Sequence, residues 1–221
     1  TKAINIFSKT NLTILGVPGR TIIDGQGTPE TTNGLGEILL LTNCQNFVIR
    51  DVTIKGKAIT NIVITGTNDL PLYALLSVFN CRDGLIERVN VLNSFDHGLW
   101  DAGANINIGP HSTNITVRGG LFQNIGSART NSVIVADGTA ISPTGWLIEG
   151  VEFRDNFRHV EPYDEYDGYP FTDCIIRNCR MYGSIDSAVY TSGSTNAHGV
   201  MVEGNYIEQP RNYSRRGTNA W

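Results

Sequence analysis

The stretch Arg158-His159-Val160-Glu161-Pro162-Tyr163-Asp164-Glu165-Tyr166-Asp167-Gly168-Tyr169 holds four carboxylates, one histidine, one arginine and three tyrosines in twelve residues. Such a mixture suits a sugar: aromatic rings stack on apolar C–H faces, and carboxylates accept hydrogen bonds from hydroxyls. Glu161 and Asp164 are the candidate pair for hydrolysis, which needs two carboxyl groups about 5 Å apart for retention or roughly 6.5–9.5 Å for inversion. A lyase would instead take a base and a cation that neutralises a uronate, and His159 and Arg158 supply both types. Tyr163 is a candidate sugar contact. Calcium is the one ion the acidic run would suit, but Asp164-Glu165-Tyr166-Asp167-Gly168 lacks the spacing of a helix–loop–helix calcium loop. The bland alternative is a solvated acidic loop with no chemistry.

Other residues join this set by spacing. His97 lies six residues after Val91, as His159 lies six after Phe153. The two histidines are therefore candidates to flank one groove, or to be satisfied turn residues. Asp96 and Asp186 each lie five residues after equivalent apolar positions, Val91 and Met181. With Arg158 between them they read as an ion-pair column or as paired catalytic acids. Asp101 flanks the same stripe, and Trp100 and Tyr190 are expected to be exposed platforms for sugar rings. The cysteines Cys44, Cys81, Cys174 and Cys179 show no zinc spacing, so no metal and no cofactor is expected. Stacked free thiols are the expectation for Cys44 and Cys81.

Composition narrows the class of protein that carries these residues. The chain has 221 residues, 40% hydrophobic and 17% charged, with 24 glycines. Low charge argues against disorder, and no apolar run is long enough to span a membrane. Seventeen Lys and Arg against 21 Asp and Glu give a net charge of −4, which argues against a nucleic-acid partner. The chain opens on Thr1, and the expectation is that residues 1–221 are one domain cut from something longer.

An internal repeat supplies the scaffold. Cys44-Gln45-Asn46-Phe47-Val48-Ile49-Arg50-Asp51-Val52-Thr53-Ile54 resembles Cys81 to Val91, and the frame recurs around Val117, Ile148, Ile176 and Val202. A weaker copy centres on Ile14. Counting from these anchors, positions −2, 0, +3 and +5 are apolar at 21 of 24 sites in the last six copies, the exceptions being Gly84, Gly120 and Asn205. A random draw would give roughly ten. Positions −2 and 0 share one face of a strand, as do +3 and +5, but the step from 0 to +3 is odd. The chain must bend between the pairs to keep both inside. The bend residues are Arg50-Asp51, Glu87-Arg88, Arg118-Gly119, Glu149-Gly150, Arg177-Asn178 and Glu203-Gly204. The first is always charged, and the second is Gly or Asn in four of six, the residues that tolerate positive φ. Units of about 30 residues, each too small to bury itself, must stack. The expected fold is all-β, a right-handed parallel β-helix of about seven coils with three strands per coil. The third strand of each coil is expected near Gly98-Leu99-Trp100, Ser132-Val133-Ile134-Val135, His159-Val160-Glu161 and Ala188-Val189-Tyr190. Leu99, Val133, Val160 and Val189 would then point inward, and Trp100, Ile134, His159, Glu161 and Tyr190 outward.

The repeated corner, together with Gly98-Leu99-Trp100 and Ala188-Val189-Tyr190, resembles the pectin-lyase-like superfamily of right-handed parallel β-helices. The opening Thr10-Asn11-Leu12-Thr13-Ile14-Leu15-Gly16 is similar to the entry coils of such proteins, phage tailspikes and appendages included. The likeness covers nearly the whole chain and is specific for fold. It implies a polysaccharide or teichoic-acid-like glycan as ligand, cleaved by a hydrolase, at an extracellular or virion surface. The alternatives it leaves open are a non-catalytic glycan-binding or structural shaft, a homotrimer if it belongs to a virion, and a secreted lyase or epimerase. The Asn-Thr-Asp and Gly-His-Gly motifs of polygalacturonases and the Asp and Arg motifs of calcium pectate lyases are missing, so no catalytic residue is carried over.

Overall fold

The computed structural model describes residues 4–25, 36–56, 73–94, 97–101, 112–126, 134–137, 145–163, 173–185, 187–190 and 199–208. For 36–37, 73, 134–137 and 163 the description is of backbone alone. The described residues are all-β, with no helix, and so none long and apolar enough to cross a membrane. Every third strand joins the same sheet, which builds three seven-stranded sheets whose strand pairs are all parallel. The first sheet runs Ile4–Phe7, Gly36–Thr42, Tyr73–Phe79, His97–Asp101, Ile134–Asp137, Arg158–Tyr163 and Ser187–Val189. The second runs Thr13–Leu15, Gln45–Arg50, Arg82–Glu87, Thr113–Arg118, Leu147–Glu149, Cys174–Arg177 and Val200–Glu203. The third runs Ile22–Asp24, Thr53–Lys55, Asn90–Ser94, Leu121–Ile125, Glu152–Arg154, Arg180–Tyr182 and Tyr206–Ile207. One strand from each sheet makes a rung.

The repeat maps onto the second and third sheets. All seven anchors stand in one ladder, Ile14, Ile49, Ile86, Val117, Ile148, Ile176 and Val202. The +5 residues form another, from Ile54 through Val91, Phe122, Phe153 and Met181 to Ile207. Between the sheets the second bend residue is left-handed in each of the last six copies: φ is 59° at Asp51, 50° at Arg88, 61° at Gly119, 63° at Gly150, 54° at Asn178 and 60° at Gly204. That one residue turns the chain so that odd spacing still points inward. Asp51 and Arg88 are the two non-glycine, non-asparagine residues at this corner; aspartate enters the left-handed region more readily than arginine does. They hold each other, with Arg88 Nε and Nη2 donating to the two Asp51 oxygens at 2.7 and 2.9 Å. That hydrogen-bonded guanidinium keeps the Asp51 carboxyl below its ordinary pKa.

A single apolar cluster draws on all three sheets, with Leu39, Leu76, Leu99 and Val160 from the first, Ile49, Ile86 and Val117 from the second, and Phe122, Phe153 and Met181 from the third. The three exceptions in the repeat have local causes. A Cβ at Gly84 would lie 2.2 Å from Phe47 Cζ, so the glycine makes room for the ring of the preceding rung. A Cβ at Gly120 would lie 2.1 Å from the Val89 carbonyl oxygen. Asn205 donates to the Ile176 carbonyl and accepts from Cys179 N, and so satisfies backbone groups of the neighbouring rung. Trp146 is buried, its Nε1 donating to the Ser112 carbonyl at 3.0 Å. All four cysteines are buried free thiols, and desolvation raises Cys81 and Cys174 to about 12.

Two expectations for the first sheet are corrected. Leu99 pairs with Ile134, and Val135 pairs with Trp100 and Glu161, so the backbone register sets Ile134 beside Leu99 where Val133, which lies outside the described residues, was expected. The alternation also fails at the start of the strands. Adjacent Leu75 and Leu76 are both fully buried in the core, and so are adjacent His159 and Val160. The first residue of each pair sits in the corner with the third sheet, where Leu75 approaches Gly56 and the His159 ring lies 5.7 Å from Phe153. His159 therefore points inward, and its expected outward placement is wrong.

Candidate functional site

The outer face of the first sheet gathers most of the described site residues. On Arg158–Tyr163, residues 158 and 161 flank the inward pair, so both side chains emerge outside. Arg158 Nη1 donates to Glu161 Oε1 at 2.7 Å, and each residue is only 6% exposed. The Arg158 guanidinium stacks on the Tyr190 ring at 3.6 Å and lies 5.6 Å from the Phe157 ring. Tyr190 is held there because its backbone N–H donates to the Val160 carbonyl, which continues the parallel pairing. Buried charge is costly unless paired, and this pair has a carboxylate and an aromatic face for its single cation.

Two strands away, about 10 Å at the spacing of a parallel sheet, lies a second group. His97 and Trp100 stack with ring centroids 5.0 Å apart and planes 9° apart, and Phe79 meets Trp100 edge-on at 5.9 Å. Val135 separates Trp100 from Glu161 in the ladder. Trp100 faces outward as expected, but it is 5% exposed, so it is a packed ring and not an open platform. Ala74, Phe79 and Leu40 pack with it in a small cluster outside the main core.

The remaining candidates separate. His159 is wholly buried and takes no part in the outer face. Asn156 Oδ1 accepts from Ile125 N, which turns its Nδ2 toward His159 Nδ1 at 3.0 Å. The imidazole proton then lies on Nε2, a buried atom with no hydrogen-bond partner among the described residues. Desolvation lowers this histidine to about 3, which removes it as a base for lyase chemistry. Asp101 is 1% exposed and accepts from Ser112 N at 3.1 and 3.2 Å, so it ties down the return of the chain. Asp96, Asp164 and Asp186 lie outside the described residues, and of Tyr163 only the backbone is described. Among the described residues no group of three or more His, Cys, Asp or Glu is placed to hold a metal.

One feature escaped the sequence reading. A polar groove of about 370 Å³ runs along the opposite corner, lined by Ser8, Asn43, Gln45, Asn80 and Arg82 among others. Asn80 donates to Asn43, and Arg82 to Gln45, one rung apart. The recurrence of Asn at equivalent places was the available signal.

Comparison with family models, with curated proteins and with solved structures finds no match for this chain.

Proposed function

We propose that the three sheets are the faces of one right-handed parallel β-helix, and that the outer face of its first sheet binds and cleaves a polysaccharide. Parallel crossovers are right-handed with few exceptions, which supports the handedness. The observation that carries the function is the buried Arg158–Glu161 pair stacked under Tyr190, beside the His97–Trp100 stack. A buried ion pair contributes little net stability, because desolvation offsets the attraction. Its place on an outer sheet face therefore points to chemistry. Glu161 supplies the carboxylate, Arg158 fixes its orientation, and the half-buried Tyr190 supplies ring surface for a sugar C–H face. Hydrolysis needs a second carboxyl group, and Asp164, three residues on, is the candidate. The ligand class is a cell-surface or extracellular glycan, teichoic-acid-like polymers included, which places the protein outside a cell or on a virion.

The test is release of oligosaccharides from a panel of neutral, uronic-acid and polyol-phosphate polymers. Wild type releases fragments; Glu161→Gln retains binding and loses at least ~100-fold in rate, the scale of a lost acid–base group. Binding without release by wild type would replace the hydrolase with a glycan-binding shaft. Neither binding nor release would remove the glycan reading altogether.

A further inference from the structure

The outer face of the second sheet carries three rows that run from rung to rung. The middle row is Thr13, Val48, Leu85, Thr116, Leu147, Ile175 and Met201, each paired to the next. Its members are half-buried to exposed, with Met201 at 51%. On one side stand exposed Asn46, Asp83 and Asn114. On the other stand Arg50, Glu87, Arg118, Glu149, Arg177 and Glu203, whose charges alternate strictly from one rung to the next. Within the chain Arg50 pairs with Glu87 at 2.6 Å, and Glu149 with Arg118 at 3.0 Å and Arg177 at 2.8 Å. The three arginine side chains remain 38%, 50% and 37% exposed, so N–H donors stay available.

We propose that this face is the interface of an antiparallel dimer of the chain. The charge order selects that partner. A two-fold axis along the strand direction, midway between Arg118 and Glu149, lays the charged row on its own reversed copy. Arg118 then faces Glu149 of the second copy, Glu87 faces Arg177, and Arg50 faces Glu203, with every contact of opposite sign. The same operation sets Val48 against Met201, Leu85 against Ile175 and Thr116 against Leu147, so the apolar row closes on itself. A two-fold axis along the rung direction would instead place the charged row on the Asn/Asp row, where the alternation has no counterpart. Closed two-fold pairs are the commonest symmetric assembly. The footprint, about 29 Å by 13 Å from the rung spacing and strand rise, falls below the ~800 Å² per partner of stable complexes, so the dimer is weak.

Sedimentation velocity over a range of concentrations tests the proposal. A concentration-dependent dimer is expected, weakened at least ~10-fold by molar salt, which screens the charged row. Leu147→Lys should leave a monomer with an unchanged thermal melt, and Leu85→Lys serves if that variant does not fold. Orientation is read by mixing Val48→Cys and Met201→Cys chains with a crosslinker matched to the ~10 Å separation of facing sheets. The antiparallel pair crosslinks Val48→Cys to Met201→Cys and neither variant to itself. The native thiols are buried and do not compete. A monomer at every concentration, a trimer, crosslinking of Val48→Cys to itself, or a dimer indifferent to Leu147→Lys overturns the proposal. None of these outcomes depends on whether the first sheet binds a glycan.

Discussion

His159 shows how a single side chain can look catalytic in sequence and be structural in space. Its neighbour Arg158 points out to Glu161 and Tyr190, while its own ring turns in toward Phe153. The consequence is a dependence of stability on pH. An unfolded chain protonates this histidine below about pH 6.5, whereas the native ring stays neutral down to about 3. The contribution is complete above the unfolded value and is lost as the pH falls toward the native one, at up to ~1.4 kcal/mol per pH unit. Urea unfolding at about pH 7 and pH 5 should therefore show a fall in stability that His159→Gln flattens. An equal slope in the variant would assign the fall to other groups. Asp51 and Glu149 do not compete for this window, because paired arginines hold both carboxyls below their ordinary values. Their contribution is present above the unfolded carboxylate values and is lost only at lower pH.

The strands of the second and third sheets were legible because each rung repeats the same four inward positions around one left-handed residue. Gly84 and Gly120 broke the apolar count for a reason that spacing does not show, namely close approach by the preceding rung. Gly84→Ala should destabilise by about 1–3 kcal/mol, because the added methyl meets the Phe47 ring. Phe47→Leu in the same chain should recover part of that loss, and a double-mutant cycle in denaturant measures the coupling. Strict additivity would mean that the ring does not rest on the glycine. The first sheet was less legible. The strands Gly36–Thr42 and Tyr73–Phe79 went unrecognised, and the register near Ile134 was off by one residue. The strands Tyr73–Phe79 and Arg158–Tyr163 are entered through a corner that buries two adjacent residues, which defeats a period of two.

Stacked rungs give the whole molecule a stability that varies along its length, since each rung is supported mainly by its neighbours. Middle rungs are closed on both sides, and Ile86, Val117 and Ile148 are at most 1% exposed. Among the described residues the outermost strands have one partner strand each, and Ile4, Tyr206 and Ile207 are 45%, 59% and 46% exposed. Amide hydrogen exchange should be slowest in Arg82–Glu87, Thr113–Arg118 and Leu147–Glu149 and fastest in Ile4–Phe7 and Tyr206–Ile207. Uniform protection would show that the rungs open only together. The same stacking turns one residue per rung into a row, so a charge at a corner becomes an alternating line that a second copy can match.

Sequence alone determined the repeat, the left-handed corner, and the inward residues of two sheets, because all three depend on spacing within a dozen residues. It also set Glu161 and Tyr190 on one outward stripe in successive units, with Arg158 flanking it. Tertiary structure decided how those residues meet: which side of the strand each takes, that Arg158 and Glu161 close on each other, and that Trp100 is packed and not open. The reason is that the segments leading into the first sheet vary in length from rung to rung. Its register and outward face are therefore set by contacts with neighbouring rungs, and no local period records them.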